Sequence, residues 1–510
     1  MTMTKKLLVV LSFLLIATSC EKDLLPKPAD DIDYESLKEN SIKEFLSFAE
    51  NPRPSFNVEK PREYLKSVAG ENGWSWERDE YGNCWFDIPA TKGFEDYPNV
   101  ILQSHMDMVC ASVEGETHDF LKEVGTPLRE GNCIRGQHIN IGADDGIGVG
   151  MILAIAKSNV AHGPLRCLFT ADEEPGLFGA ANLDPSTLNA RYLLSLDEET
   201  SGYVDVGSAG AATLVFERVF ETTGQRPNQN KISVTISGLR GGHSGYEINN
   251  HRLSAGVMMT DMLGSLVDSF EINVISVNSG DVFNAILNSC EFSFAVNSSD
   301  TTAAMDILQA AVVSFTKEYP EETIKFGVSC TELSSDDRLC TFDDTKRIYQ
   351  LLDGLKYGPI EVNGSHVTKS SNIAPVNLNN GDFYAASLMR SDYNEWLDEQ
   401  VAYYIPFADN LGINGSIYTQ VPAWHSANIP PMVKMLEQYY SEAVGGNIVE
   451  FQSQAFLEPS YFTMIRPDIE TTCIGPQIDE AHTIRETLHT DTLIPVLKAT
   501  IQTIQHINKL

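Results

Sequence analysis

The sequence predicts an α/β protein in which a mixed sheet flanked by helices forms one domain and an α+β segment is inserted into it. Apolar, strand-like runs end near Gln103, Thr170 and Leu196, and stretches with helical spacing separate them. This alternation is typical of a parallel sheet covered by helices. Near residue 211 the pattern changes to the alternation of antiparallel strands, and helices and strands then mix until about residue 418.

The chain begins with the form of a secretory signal. Lys5 and Lys6 precede an apolar run at 7–16 that is too short to span a bilayer, and Cys20 follows small residues. This arrangement resembles a bacterial lipoprotein cleavage site. We therefore expect a signal peptide at 1–19, lipidation of Cys20 and an exported protein anchored to a bacterial membrane, on either its periplasmic or its surface side. Plain secretion is the alternative, because Ala17 stands where Leu is usual.

The remaining elements follow in order. Residues 20–40, with Pro and Asp and few apolar side chains, are interpreted as a lipid-anchored tether, and the first helix is expected near Ser41. Alternation over 72–88 predicts a hairpin. Apolar spacing over 146–157 predicts a helix whose start is capped by the segment before it. An amphipathic helix closes the chain.

Composition limits the classes of partner. The net charge is −34, from 36 basic and 70 acidic residues, which argues against nucleic acid and against anionic membrane surfaces. Contact with a membrane is therefore expected only through the lipid anchor. The nine Cys show no CxxC spacing, and most of them, such as Cys167 and Cys290, lie in apolar surroundings typical of buried thiols.

Acidic and imidazole side chains collect where the predicted strands end. His105 and Asp107 follow the first strand, 172–174 and 197–199 follow two others, and Asp144 with Asp145 precedes a helix. Such groups at one sheet edge repel each other unless cations lie between them, which predicts a metal site with more than one ion. The alternative is that the acids cap solvated helix N-termini, which accounts for single acids but leaves His105 unexplained.

Five motifs in this order resemble a known family. They are 103–110, 142–148, 170–174, 238–245, and 474–476 with His482. Together they resemble the aminoacylhistidine (Xaa-His) dipeptidases, a branch of the co-catalytic zinc metallopeptidases related to aminoacylase, carboxypeptidase and tripeptidase. The resemblance covers about residues 41–510. It implies a catalytic domain at 41–210 and 419–510, with a lid domain at 211–418.

The resemblance also implies a set of metal ligands. Two Zn²⁺, with Co²⁺ or Mn²⁺ as alternatives, would be held by His105 and Asp197 on one side and by Glu174 and His482 on the other. Asp144 would bridge the two ions, and the Asp144–Asp145 peptide bond would be cis. Each ion then keeps room for water, as a catalytic metal does. His489 competes with His482 as a ligand, but the spacing from 474–476 favours His482.

The remaining roles concern catalysis and substrate. Glu173 would take a proton from a metal-bridging water, and the resulting hydroxide would attack the scissile bond. Asp107 would orient His105 through its second ring nitrogen. His243, from the inserted segment, would stabilise the oxyanion. Asn284 and Arg390 would contact the substrate, with Arg390 holding its C-terminal carboxylate.

These roles predict an exported di-zinc peptidase that hydrolyses dipeptides, of Xaa-His type or of broader specificity. We expect a small peptide as the partner and leave a homodimer open. Gln454 stands where the family has His, which leaves substrate choice open. The alternatives are an N-acyl amino acid hydrolase or a carboxypeptidase on the same site, and an inactive peptide-binding lipoprotein. The presence of Glu173 beside a complete ligand set favours the enzyme, because a binder needs no base.

Overall fold

The computed structural model describes residues 26–224, 226–425 and 428–510, which form two compact units. The first unit contains the described residues up to 207 together with 428–453 and 457–510. The second contains the described residues of 208–425 together with 454–456. Within these described ranges, no helix combines the length and the apolar character that crossing a membrane requires. The proposed signal peptide and Cys20 lie outside the described residues.

The elements follow the chain in three stretches. The first contains α1 (Tyr34–Ala49), α2 (Glu59–Asn72), β1 (Ser75–Arg78), β2 (Cys84–Ile88), β3 (Val100–His105), β4 (Thr126–Glu130), β5 (Cys133–Gln137), α3 (Ala143–Lys157), β6 (Leu165–Thr170), α4 (Phe178–Ala181), β7 (Tyr192–Ser195) and β8 (Tyr203–Ser208). The second contains β9 (Gly210–Val219), β10 (Gln229–Ser237), β11 (Gly242–His243), α5 (Ala255–Ser269), β12 (Asn273–Asn278), β13 (Ala285–Ile286), β14 (Cys290–Asn297), α6 (Thr301–Glu318), β15 (Lys325–Glu332), α7 (Phe342–Gly354), β16 (Gly358–Asn363), β17 (His366–Asn379), β18 (Asp382–Ser391), α8 (Asn394–Asn410) and β19 (Asn414–Val421). The third contains α9 (Pro431–Val444), β20 (Val449–Ser453), α10 (Pro459–Ile465), β21 (Glu470–Cys473), β22 (Ile478–Asp479), β23 (Thr487–His489) and α11 (Leu493–His506).

The first unit contains a mixed sheet. Among the described residues its order is β1-β2-β6-β3-β7-β21-β8-β20. β3 pairs in parallel with β6 and β7, and β7 with β21, whereas β2 and β8 run antiparallel to their neighbours. β1 and β2 form the hairpin expected at 72–88. The predicted α/β class with a mixed sheet flanked by helices is therefore confirmed. A smaller sheet, β22-β23-β5-β4, belongs to the same unit.

The core of the first unit packs around α3. Apart from Lys157 at its end, every residue of this helix is buried, as expected for a helix that is apolar all round. It lies against α1, where Phe45 is fully buried. A Cβ added at Gly150 would come within 2.5 Å of the Ser41 carbonyl oxygen, so glycine is what permits the close approach of the two helices.

The predicted tether at 20–40 extends too far and needs correction. α1 begins at Tyr34, and the Asp33 side chain caps it by accepting a hydrogen bond from the Ser36 amide at 3.1 Å. Leu37 is already part of the buried face of α1, and the Ala29 amide donates to Gln505 Oε1 at 2.8 Å. The acidic composition suggested a solvated segment, but apolar side chains at helical spacing outweigh it because they pack on the core.

The second unit is built on an antiparallel sheet. Among the described residues its order is β15-β10-β14-β12-β17-β18-β9-β19, with β16 paired to β17. β9 and β10, the two strands expected from alternation, do not pair with each other. β9 lies between β18 and β19, whereas β10 lies between β14 and β15. Helices α5, α6, α7 and α8 supply much of its separate apolar core.

The borders of this unit differ from the predicted 211–418. It runs from 208 to 425 and also takes in residues 454–456, which the sequence assigned to the first domain. Arg390 explains this second difference. Its Nη1 donates to the Gln454 carbonyl at 2.7 Å, and its guanidinium lies 4.4 Å from the centroid of the Phe456 ring. One hydrogen bond and one ring contact with a buried arginine thus attach this distant backbone segment to the second unit.

Candidate metal centre

Three strand ends bring the predicted ligands to one edge of the sheet. In the parallel registers, His105 lies opposite Thr170, the last residue of β6, and Gln103 lies opposite Ser195, the last residue of β7. Because parallel strands end at the same edge, the acids that follow β6 and β7 reach the side chain of His105. Nε2 of His105 lies 3.5 Å from Asp197 Oδ1 and 3.9 Å from Glu173 Oε2.

Asp144 occupies the centre of this group. Its Oδ1 lies 3.1 Å from Nε2 of His105, and its Oδ2 lies 2.9 Å from Nε2 of His482. The same His482 nitrogen lies 2.8 Å from Glu174 Oε2. The peptide bond between Asp144 and Asp145 is cis, as the resemblance implied. One carboxylate thus faces two imidazoles that are far apart in the chain.

The donor set fits two divalent cations. Each oxygen of Asp144 faces a different imidazole nitrogen, and a further carboxylate lies near each nitrogen: Asp197 near His105 and Glu174 near His482. Imidazole nitrogen and carboxylate oxygen suit Zn²⁺ and related divalent ions. The ligand atoms of His105, Asp144 and Glu174 all lie within 4.8 Å of one another. These residues could therefore hold a pair of ions that share Asp144.

Asp107 ties the surrounding backbone together. Its Oδ1 lies 3.5 Å from Nδ1 of His105 and accepts a hydrogen bond from the Glu173 amide at 3.0 Å. Its Oδ2 accepts bonds from the Ser55 hydroxyl at 2.7 Å and from the Glu174 amide at 3.3 Å. One buried carboxylate thereby fixes the His105 ring and the turn that carries Glu173 and Glu174, as outer groups around metal ligands do.

Buried carboxyl groups lie close together in the centre, and their pKa values are shifted as a result. Burial raises the pKa of Glu173 well above its usual range, although His105 opposes the shift. Burial raises the pKa of Asp197 to about 7, with His105 opposing the shift and Asp144 adding to it. For His105, burial favours a lower pKa, but Asp197, Asp107 and Asp144 outweigh it and raise the pKa well above normal. Bound cations would relieve this repulsion.

Sequence reasoning missed two residues at the centre. Glu199 has a carboxylate oxygen within 4.8 Å of an oxygen of Asp144 and of a ring nitrogen of His482, and burial raises its pKa to about 8. The acidic cluster at 197–199 was visible in the sequence, but spacing alone could not show whether Glu198 or Glu199 reaches the centre. Arg53 is 1% exposed, and its guanidinium donates to the carbonyls of 106, 107, 141 and 142. A lone Arg before the first strand gives no signal for such a role.

His489, the competing ligand, is engaged elsewhere. Its Nε2 lies 2.8 Å from Asp479 Oδ2, and its Nδ1 lies 3.8 Å from the Cys133 sulfur. It pairs with β5 in the small sheet. His482, in contrast, contacts Asp144 and Glu174.

His243, Asn284 and Arg390 belong to the second unit. His243 and Asn284 are neighbours there, because β11 pairs with β13 and the Ser244 amide donates to the Asn284 carbonyl at 2.8 Å. His243 Nδ1 accepts a hydrogen bond from the Gly245 amide at 3.1 Å. Burial, followed by the charge of Arg390, lowers the pKa of His243 to about 4. The imidazole is therefore neutral at pH 7 and carries its proton on Nε2.

Arg390 lies on β18 and is 3% exposed. Its Nη1 is bonded to the Gln454 carbonyl, whereas its Nε has no hydrogen-bond partner among the described residues. Burial lowers its pKa to about 10, so the guanidinium stays charged at neutral pH. Gln454, the residue that departs from the family pattern, donates through Nε2 to the Val367 carbonyl at 3.1 Å.

Known proteins resemble this chain over most of its length. It is 28% identical over 465 residues to the cytosol non-specific dipeptidase of Escherichia coli, covering 88% of this chain and 93% of that protein. The structure of aminoacylhistidine dipeptidase from Vibrio alginolyticus matches with a TM-score of 0.81 at 24% identity, over 91% of this chain and 96% of that one. Aminopeptidase PepT from Bacillus cereus matches with a TM-score of 0.51 at 16% identity, over 92% of this chain and 98% of that one.

The model of one family spans most of the chain. Peptidase family M20/M25/M40 matches residues 101–506, a span that includes all five motifs and every candidate ligand. This match confirms the resemblance drawn from the motifs and the prediction of an enzyme that hydrolyses peptide bonds. The chain belongs to peptidase family M20/M25/M40.

Proposed function

We propose that this protein is a dipeptidase that works with two divalent metal ions. The observation that carries the proposal is the position of Asp144 between His105 and His482, with Glu173 beside them. The likeness to the E. coli dipeptidase over 93% of that protein supports a small peptide as the substrate. The two TM-scores above support the fold alone.

His105, Asp197 and Asp144 would hold one ion, and His482, Glu174 and Asp144 the other, with Zn²⁺ as the expected metal and Co²⁺ or Mn²⁺ as alternatives. Glu199 is a further oxygen donor on the His482 side. When bound, the ions would lower the pKa of a coordinated water and polarise the scissile carbonyl. Asp107 keeps the His105 ring oriented.

Glu173 is the proton carrier in this proposal. Its backbone amide is held by Asp107, so its side chain starts from a fixed point next to the ligand Glu174. Its Oε2 lies 3.9 Å from the imidazole of His105 and lies among the metal donors. From there it can take a proton from the attacking water and pass it to the leaving amine.

The second unit is proposed to act as a lid that recognises substrate. His243 is neutral at pH 7 with its proton on Nε2, so it can donate a hydrogen bond to an oxyanion. Arg390 is held by the Gln454 carbonyl and the Phe456 ring, and its Nε is a donor without a partner among the described residues. Such a prearranged guanidinium suits the free C-terminus of a dipeptide. Asn284, beside His243, would contact the substrate as well.

The location of the protein is a separate proposal. We propose export and a lipid anchor at Cys20, supported by the form of residues 1–20. The name of the E. coli relative assigns that protein to the cytosol. Labelling cells with a fatty acid tests the proposal. The wild type should incorporate label and Cys20→Ala should not, and an unlabelled wild type would contradict the anchor.

Substrate profiling tests the proposed activity. Purified protein, with and without a chelator, would be assayed on free dipeptides, their C-terminal amides, tripeptides and N-acyl amino acids. We expect free dipeptides to be cleaved fastest, amides about 10²-fold more slowly because the charged pair with Arg390 is lost, and no turnover with chelator until Zn²⁺, Co²⁺ or Mn²⁺ is added. Faster cleavage of N-acyl amino acids or longer peptides would replace the dipeptidase proposal, and no turnover on any of them would favour a binding protein.

A further inference from the structure

An exposed aromatic side chain lies in a strained loop beside the candidate metal centre. Phe56 is 63% exposed and has a φ of 66°. A bulky residue rarely adopts this left-handed conformation, which costs free energy. Burial does not offset the cost, because the ring is largely in water. Strained residues of this kind cluster at functional sites, where the surrounding contacts hold them in place.

Hydrogen bonds from three of its residues hold the loop that carries Phe56. Arg53 bonds the carbonyls of Met106 and Asp107, and the Ser55 hydroxyl donates to Asp107 Oδ2 at 2.7 Å. The Phe56 amide itself donates to Asp172 Oδ1 at 2.6 Å. The loop is therefore attached to Asp107, whose carboxylate also holds the turn that carries Glu173.

A second exposed ring faces Phe56. Phe178 is 36% exposed, and the two ring centroids lie 5.8 Å apart at an interplanar angle of 46°. The Phe178 amide donates to the Asp172 carbonyl at 3.0 Å, and the preceding Leu177 amide donates to the Glu173 carbonyl at 2.6 Å. Phe178 is thus fixed at the end of the turn that begins with Glu173.

Asp172 connects the two rings. One of its oxygens holds the Phe56 amide, its other oxygen accepts the Tyr81 hydroxyl at 2.9 Å, and its carbonyl holds the Phe178 amide. Both rings are positioned by the residue directly before Glu173. The two rings thus form a partly exposed apolar surface attached to the turn that carries the proposed proton carrier.

We propose that Phe56 and Phe178 form an apolar subsite for the side chain of the N-terminal residue of the dipeptide. The inference rests on the proposed dipeptidase function, in which Arg390 takes the carboxylate of the C-terminal residue. Because the C-terminal residue is assigned to Arg390, the surface formed by Phe56 and Phe178 is assigned to the N-terminal residue. The preferred substrates are dipeptides whose first residue is Leu, Phe or a similar large apolar residue, because such side chains gain most from leaving water against two rings.

The test compares kcat/KM for two series of dipeptides with metal-loaded protein. One series varies the first residue (Gly-Gly, Ala-Gly, Leu-Gly, Phe-Gly), and the other varies the second (Gly-Ala, Gly-Leu, Gly-Phe). The wild type should favour Phe-Gly over Gly-Gly by about 10-fold or more, the discrimination an apolar pocket can give. Phe56→Gly and Phe178→Ala should each reduce this ratio by about 5- to 10-fold.

The variants are chosen so that the fold survives. Glycine accepts the φ of 66° at position 56 and keeps the amide that Asp172 holds, so the loop is retained while the ring is lost. Tyr403→Ala is the matched control. Tyr403 is 60% exposed and stacks on Phe407 with centroids 6.0 Å apart, but it lies in the second unit. This control should keep the wild-type ratio.

The outcomes separate the subsite from the proposed activity. A wild type that cleaves no dipeptide overturns the dipeptidase proposal. A wild type that cleaves dipeptides, with a Phe-Gly to Gly-Gly ratio unchanged in both variants, overturns the subsite alone. A loss confined to the series with a varied second residue also overturns it, because the rings would then serve the other end of the substrate.

Discussion

At the scale of single residues, a few buried groups in the candidate centre each contact several partners. Asp144 faces two imidazoles, Asp107 holds one imidazole and two amides, and Arg53 serves four carbonyls. Each is buried, so a lost partner leaves a polar group without compensation. Substitutions at these positions should therefore have distinct effects on metal content and on turnover.

Glu173→Gln and Asp144→Ala should differ in metal content. Glu173→Gln keeps the shape of the side chain and removes no proposed ligand, so we expect two ions per chain and a loss of kcat of about 10²–10⁴-fold. Asp144→Ala removes the shared carboxylate, so we expect both ions to be lost. Metal analysis by mass spectrometry beside steady-state kinetics checks both. Two ions in Asp144→Ala, or near-normal kcat in metal-loaded Glu173→Gln, would refute the assignments.

Arg53→Lys should weaken the centre without touching a proposed ligand. A lysine ammonium is a compact donor and cannot reach carbonyls in two loops as the planar guanidinium does. Carbonyls left without a donor cost about 1–3 kcal/mol each. We expect a lower Tm and a higher Kd for Zn²⁺, measured by calorimetry of metal-free protein. As a control, Arg485→Lys, at an exposed side chain, should leave both values near wild type. Unchanged metal affinity in Arg53→Lys would show that metal binding does not need the hydrogen bonds from the Arg53 guanidinium to the four carbonyls.

At the scale of elements, pattern and capping explain most of the boundaries. α3 is buried along nearly its whole length, and α1 presents Leu37, Phe45 and Phe48 to the same core. The predicted tether failed at α1 because composition was weighed above spacing. β9 and β10 alternate as expected, but their partners come from far along the chain. Local pattern thus gives the type of element, and pairing is decided by contacts distant in sequence.

Glu437, in helix α9, should make the stability of the folded protein depend on pH. Its Oε1 is buried without a partner among the described residues. Burial, and then Glu450, raise its pKa to about 7 while Lys434 opposes the shift. Because the folded pKa exceeds the unfolded one, the stabilisation by the protonated form is complete below about pH 4.5. It is lost as the pH rises through about 7.

Glu437→Gln removes this titration. We expect the variant to match the wild-type Tm at pH 5 and to exceed it at pH 8 by about 1–3 °C, a modest effect because the side chain is partly exposed. Thermal unfolding at both pH values, on protein with the same metal content, measures it. The comparison at pH 5 is the internal control. A variant that is less stable at pH 8 would contradict the sign.

At the scale of the whole molecule, the chain forms two units with separate cores. The first unit is completed only by residues 428–453 and 457–510, near the end of the chain. His482 meets Asp144 from 338 residues away. Every candidate metal ligand lies in the first unit, and the proposed oxyanion donor and carboxylate binder lie in the second. The proposed reaction therefore needs both units.

Mixing two inactive variants tests whether the two units of one chain act together. Glu173→Gln damages the first unit, and His243→Ala damages the second. If each chain supplies its own His243, as we predict from an insert of about 200 residues, the mixture should show no more activity than the variants alone. Co-expression with two different tags and purification over both gives any mixed assembly a chance to form. Activity well above that of the separate variants would show that His243 acts on a partner subunit.

The sequence by itself determined the family, the α/β class and the groups that follow the strand ends. These follow from short motifs and local periodicity, which depend on neighbours along the chain. His105, Asp144 and the turn at 172–174 could be selected in this way, because their residue types match metal chemistry and their strands are plainly apolar.

Only the tertiary structure decided how these groups meet. It placed the two oxygens of Asp144 on different imidazoles, brought Glu199 within reach, inserted Arg53 beneath two loops and moved residues 454–456 into the second unit. It also set Phe56 in a left-handed conformation beside Phe178. Each of these depends on satisfying buried charges and polar groups from segments far apart in sequence, and local propensity carries no information about such partners.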